Sequence, residues 1–152
     1  MEYGRQEAQK GGSVELATFY VADALCGMDI LNVQEINKQT DITTVPQAPG
    51  YVKGIMNLRG QIVTIIDLGR KLGLAQTGFA DKTRNIIVNS RGEYIGLLVS
   101  EISDVIEAQW EAVDAPPANI GQIQGEFFKG VFKTDDHLIG ILDLERVLAE
   151  DA

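Results

Sequence analysis

The chain has 152 residues, 45% of them apolar and 23% charged. These are the proportions of one globular domain, or of two small lobes sharing a core, and they exclude a disordered or collagen-like chain. Its longest apolar runs, residues 62–66 around one Thr and 95–99 around one Gly, are strand-sized. Both fall far short of the ~20 residues a membrane helix needs. The net charge of −9 lies wholly in the last third: acidic and basic residues cancel over residues 1–100, while 101–152 hold only Lys129, Lys133 and Arg146 as cations. Without clustered Lys and Arg, nucleic-acid binding is not expected. The acidic end reads as a solvated surface or as a face for a basic partner.

Residues 1–13 (MEYGRQEAQKGGS) are polar and lack an apolar signal-peptide region, so a flexible arm is expected. Residues 15–21 (ELATFYV) are aromatic and β-branched and predict a strand, followed by a turn and a second strand at 25–29. Ile30, Val33 and Ile36 recur every third residue, so 29–35 is read as a helical turn. Two prolines and a glycine make 43–50 a loop. Residues 55–58 and 61–67 form strands joined at Arg59-Gly60, with glycine suiting a positive-φ turn. A brief helix at 68–72 stops at Gly73. Strands follow at 83–89, 94–100 and 105–108, then a long loop over 111–125, a last hairpin of 127–133 and 138–142, and a short helix at 144–149. Nine or ten short strands with frequent turns predict an all-β barrel or sandwich. A hairpin followed by Ile-Ile-Asp-Leu (65–68) and a short helix is echoed by a hairpin, Ile-Leu-Asp-Leu (141–144) and a short helix. Such an echo fits two related lobes.

Reactive chemistry is sparse. The single cysteine, Cys26, excludes an intrachain disulfide and a multi-cysteine zinc site, and reads as a buried, inert thiol. His137, the only histidine, sits in Asp135-Asp136-His137 as a turn residue with no supporting ligand cluster. There is no Gly-x-Ser-x-Gly elbow and no Gly-rich phosphate loop. No catalytic residue, metal site or cofactor is expected, and the cytoplasm is the expected location. The remaining candidates are exposed groups. Arg59 at a hairpin tip is either a solvated cation or a guanidinium held for forked bonds to a partner. Val33 and Ile36 are either core or part of an apolar groove for a partner helix.

Gly27–Ile36 (GMDILNVQEI), Val45-Pro46 with Pro49, Val52-Lys53-Gly54 leading into Asn57-Leu58-Arg59-Gly60, and Ile65-Ile66-Asp67-Leu68 together resemble the CheW family of chemotaxis adaptors. Gly96-Leu97-Leu98-Val99, Ile102-Ser103-Asp104-Val105 and the ending at 140–144 also look like that family, so the likeness spans about residues 14–149. It implies two intertwined five-stranded SH3-like barrels with short helical turns, here with a lobe boundary expected near 85–90. It also implies a non-enzymatic adaptor linking methyl-accepting chemoreceptor signalling tips to the regulatory domain of the histidine kinase CheA. The protein would be a monomer when free, enter rings in arrays beneath the inner membrane, and insert into no membrane itself. Carried over by position, receptor contacts fall on Val33, Glu35, Gly54, Arg59, Gly60, Ile102 and Val105, while kinase-facing residues stay unassigned. Thr64 stands where many relatives have proline, and threonine suits a strand. The rival readings are a CheW-like regulatory domain of a larger CheA- or CheV-type protein, and a small-ligand-binding β-barrel. The start at Met and the polar end favour a free-standing adaptor.

Overall fold

The computed structural model describes residues 12–38 and 40–149. Its strands are β1 (Ser13–Val21), β2 (Ala24–Asp29), β3 (Val33–Asn37), β4 (Val52–Leu58), β5 (Gln61–Asp67), β6 (Arg84–Ser90), β7 (Glu93–Val99), β8 (Glu101–Gln109), β9 (Asn119–Ile120), β10 (Ile123–Gln124), β11 (Phe128–Lys133) and β12 (Leu138–Leu142). Two short helices, α1 (Leu68–Lys71) and α2 (Leu144–Leu148), follow β5 and β12. Ten strands form two five-stranded sheets, in the orders β11-β12-β2-β1-β8 and β3-β6-β7-β5-β4. We call them the terminal and the middle lobe. The all-β, two-lobed expectation holds. The strands beyond the expected nine or ten include β9 and β10, a two-residue pair inside the segment read as a loop. Thr64 lies within β5, paired on both sides, where proline would remove a ladder donor.

Both lobes follow one strand plan. In the middle lobe, hairpin β4–β5 joins hairpin β6–β7 through the parallel pair β5–β7, and β3 adds to β6. In the terminal lobe, hairpin β11–β12 joins hairpin β1–β2 through the parallel pair β12–β2, and β8 adds to β1. Along the chain, each half runs hairpin, single strand, hairpin, helix: β1 to α1, then β6 to α2. Each lobe therefore takes one hairpin from one half and three strands from the other, which makes the lobes intertwined. The expected boundary near 85–90 falls within β6, a strand of the middle lobe, while the chain changes sheets between Asp29 and Val33 and again between Val99 and Glu101. Of the arm placed at 1–13, Ser13 belongs to β1, and residues 1–11 lie outside the described residues.

Each sheet closes on itself at equivalent places. The segment after β3 returns to the far edge of its lobe, where Thr43 and Ile55 exchange backbone hydrogen bonds of 2.8 Å. After β8, Asp114 and Val131 do the same at 2.9 Å. A bulged glycine lies beside each closure. A Cβ on Gly54, whose φ is +151°, would sit 2.3 Å from the Thr43 carbonyl oxygen. One on Gly130 would sit 2.8 Å from that of Asp114. Only a residue without a side chain lets the returning backbone approach so closely.

Three apolar clusters fill the molecule. Val14, Leu16, Ala108, Ile139 and Ile141 pack inside the terminal lobe, and Met56, Val63, Ile65, Ile87 and Leu98 inside the middle one. The largest cluster joins the two, setting Phe19, Val21 and Met28 against Ile86, Val88, Leu97 and Val99, with Leu68, Leu72 and Val147 from the helices and their ends. β1 serves two cores by alternation, sending Leu16 to one and Phe19 and Val21 to the other. Cys26 is buried in the shared core, and burial pushes its thiol up to about 12, so it stays protonated at neutral pH.

The sequence echo marks two helix caps. Asp67 and Asp143 each accept a hydrogen bond from the backbone N–H three residues on, Arg70 and Arg146, both at 3.3 Å. Asp67 is buried and also accepts from the Thr77 N–H at 2.9 Å, which ties down the segment between the halves. Asp143→Ala is expected to cost about 1 kcal/mol, the worth of a cap. Asp67→Ala should cost about 2–3 kcal/mol, because the buried Thr77 N–H loses its acceptor as well. Urea titrations of the two variants measure the difference.

Candidate functional site

The 29–35 segment is not one helical turn. Only Ile30–Asn32 form a 3-10 turn, capped by Asp29 accepting from Leu31 N–H at 2.9 Å, and the chain then extends as β3. The three-residue apolar spacing survives for another reason. Val33 pairs with Val88 and Ile36 with Ile86, so β3 advances three residues while β6 advances two. The extra residue is a β-bulge, and it puts Val33 and Ile36 on one face of the sheet. β8 repeats the device: Ile102 pairs with Phe19 and Val105 with Ala17.

These two bulged edge strands form the walls of an apolar groove at the seam of the lobes. It encloses about 90 Å³, with Val33 and Ile36 from the middle lobe facing Ile102 and Val105 from the terminal lobe. Phe19 and Ile86, both fully buried, form its floor. Ile36 is 42% exposed and Val105 55%, so the walls present apolar surface to solvent. Three of the seven expected contact residues, Val33, Ile102 and Val105, come together here, along with Ile36. The sequence reading did not find the floor. Its signal is an offset of 69 residues between Val33/Ile36 and Ile102/Val105, which aligns Gly27-Met28 with Gly96-Leu97.

A second group gathers beside β3. The Arg59 guanidinium, 71% exposed, donates to the Glu35 carboxylate, and Asn37 Nδ2 donates to the other Glu35 oxygen at 3.3 Å. The Arg59 bond, and then that of Asn37, holds the Glu35 carboxyl below its ordinary value. Since β3 and β4 are opposite edges of the middle sheet, the ion pair spans the closure of that lobe. Arg59 is thus a partnered cation and not a freely solvated one.

The turn beneath it differs from expectation too. Arg59 and Gly60 both have positive φ, +53° and +87°, and Asn57 Oδ1 accepts from the Gly60 N–H at 2.9 Å. Asn89-Ser90-Arg91-Gly92 repeats this turn, with φ of +55° and +83° and a 3.2 Å bond from Gly92 N–H to Asn89 Oδ1. The Asn-x-Arg-Gly turn is therefore hairpin chemistry. What sets Arg59 apart from Arg91 is its acidic partner.

Gly54 joins neither group. It is buried under the Thr43 backbone, and Gly130 fills the same role in the other lobe. His137 lies in the β11–β12 turn, its N–H donating to Thr134 Oγ1 at 3.1 Å. Among the described residues no group of three or more His, Cys, Asp or Glu converges as a metal site, and no helix is long and apolar enough to cross a membrane.

Two interlocked β lobes thus share an open apolar groove at their seam. Residues 15–152 match the CheW-like domain. Similar proteins include a probable chemotaxis protein CheW of Rhizobium etli, 30% identical over 139 residues that cover 91% of this chain and 90% of that one. The chemotaxis protein CheW of Treponema pallidum is 32% identical over 139 residues, covering 89% and 82%. The solved structure of scaffolding protein TtCheW from Thermoanaerobacter tengcongensis has a TM-score of 0.83 at 34% identity, covering 91% of this chain and 89% of that one. The chain belongs to the CheW-like family.

Proposed function

We propose that the protein is a non-enzymatic adaptor that couples chemoreceptor signalling domains to the histidine kinase CheA in cytoplasmic arrays. The observation that carries this reading is the groove: in a chain whose relatives are chemotaxis and scaffolding proteins, Val33, Ile36, Ile102 and Val105 line one apolar cleft between the lobes. An exposed apolar cleft of this kind takes one face of a helix, as in other helix-in-groove complexes. The receptor's helical hairpin is its occupant, and the Glu35–Arg59 pair and Gly60 lie at the edge of that contact. Gly54 supports this edge from beneath without touching the partner. The kinase's regulatory domain docks elsewhere on the lobes, and alternation of the two proteins builds rings. A small-ligand barrel is less well supported, because packed side chains fill the interior of each lobe.

The test is a titration of the protein with the purified signalling domain of a methyl-accepting chemoreceptor from the same genome, and separately with the regulatory domain of its CheA. Saturable binding of both is expected. Binding of neither would remove the adaptor reading.

A further inference from the structure

The apolar walls of the groove give little direction, because they are the same positions of the two halves: Val33 and Ile36 on one side, Ile102 and Val105 on the other. The charges beside it do have one. In the terminal lobe, the next row on the groove face beyond Ala17 and Val105 is Glu15, directly opposite Glu107. Both are exposed, and neither makes an ion pair among the described residues. Ser13 Oγ, a neutral group, donates to Glu107 at 3.0 Å. Like charges facing each other across a strand pair oppose folding. Asp104, also exposed, adds a third carboxylate on β8.

The same offset of 69 residues carries Glu15 to Arg84 and Glu107 to exposed Lys38 in the middle lobe, both basic. Arg84 opens β6 two residues before the groove residue Ile86, and its guanidinium donates to the backbone carbonyls of Asp81 and Thr83 at 2.7 and 2.8 Å, both neutral acceptors. Glu35 on this side is already matched by Arg59, and Glu101 on the other by Lys82 at 3.6 Å. The groove thus has an acidic flank on the terminal lobe and a basic flank on the middle lobe.

We propose that these flanks set the direction in which the receptor helix lies: its cationic residues lie against Glu15 and Glu107, and its carboxylates against Lys38 and Arg84. The inference rests on the groove being the receptor site. Matched charges at the rim of an apolar contact select orientation and speed encounter more than they add affinity. The reversed helix would set like charges together on both flanks.

The experiment titrates wild type, the double variant Glu15→Gln/Glu107→Gln, the reversal Glu15→Lys/Glu107→Lys and Ile36→Asp with the same receptor signalling domain. Salt runs from about 0.05 to 0.5 M, where screening shortens from well over 10 Å to a few Å. The glutamine variant should melt at or above wild type, since a repulsion is removed. At low salt it should bind several-fold more weakly and the lysine reversal about tenfold more weakly, with the curves converging at high salt. Ile36→Asp should lose binding at every salt concentration. If Ile36→Asp loses binding while both Glu15/Glu107 variants bind like wild type at low salt, the orienting flanks are overturned and the groove stands. If Ile36→Asp binds like wild type, the groove itself is not the receptor site and the inference falls with it.

Discussion

Gly54→Ala is expected to melt roughly 6–12 °C below wild type. The added Cβ meets the Thr43 carbonyl oxygen at 2.3 Å and the Ile42 side chain at 2.7 Å, and the first of these is backbone held by two hydrogen bonds. The positive φ adds conformational strain for any residue with a side chain. Together these cost about 3 kcal/mol, which for a domain of this size corresponds to about 2–4 °C per kcal/mol. Gly130→Ala should fall in the same direction, because its Cβ would meet the Val113 side chain at 2.5 Å and the Asp114 oxygen at 2.8 Å. Thermal melts followed by circular dichroism measure both. Receptor affinity measured well below the melting temperature should be unchanged in Gly54→Ala. A variant that melts normally and loses receptor binding would return Gly54 to the contact surface.

Arg59→Ala is expected to melt like wild type and to bind the receptor signalling domain at least about tenfold more weakly, since docking buries the Glu35-paired guanidinium against the partner, and truncating a buried, hydrogen-bonded charge costs about 2–5 kcal/mol. Its guanidinium is exposed and its one ion pair lies at the surface, where such pairs add little to folding. Arg91→Ala is the matched control: it occupies the same Asn-x-Arg-Gly turn with the same backbone and makes no ion pair among the described residues. It should leave both stability and binding unchanged. Lysine at 59 should rescue only in part, because it lacks the planar fork. The Glu35 carboxyl is held below its ordinary value of 4.5, so the pair is intact above that pH and is lost as pH falls through the lower folded value. Receptor affinity should therefore keep its dependence on Arg59 from pH 7 down to about 5. Equal binding by wild type and Arg59→Ala would take Arg59 out of the contact, and a large fall in melting temperature would make it a structural tie across the lobe closure.

The strands were legible because alternation and turn residues are local signals. Residues 61–67 and 138–142 coincide with β5 and β12, and 15–21 lies inside β1, which starts two residues earlier at Ser13; each is a run of mainly apolar residues. The 29–35 segment was misread for a physical reason. A spacing of three suits a helical face, but a bulged strand puts the same residues on one face, and the sequence carries no separate mark of the bulge. The four-residue echo around Asp67 and Asp143 was visible because a helix cap needs a particular side chain. The longer echo between the groove walls went unread, because a cleft wall asks only for apolar residues, and Val33/Ile36 share none with Ile102/Val105.

By itself the sequence determined the all-β class, most hairpins, the inert thiol, the polarised charge and the family likeness, each of which rests on composition, local periodicity or motif. Tertiary structure alone decided how the halves interlock. Parallel pairing of β12 with β2 and of β5 with β7 joins strands that are far apart in the chain, and no local preference encodes it. That pairing brings β3 and β8 to the same seam, which turns two apolar pairs into one groove. It also placed Gly54 under a returning backbone and Arg59 against Glu35, 24 residues away. A contact exists only once the chain between its two ends has closed, so it is a property of the fold and not of either segment.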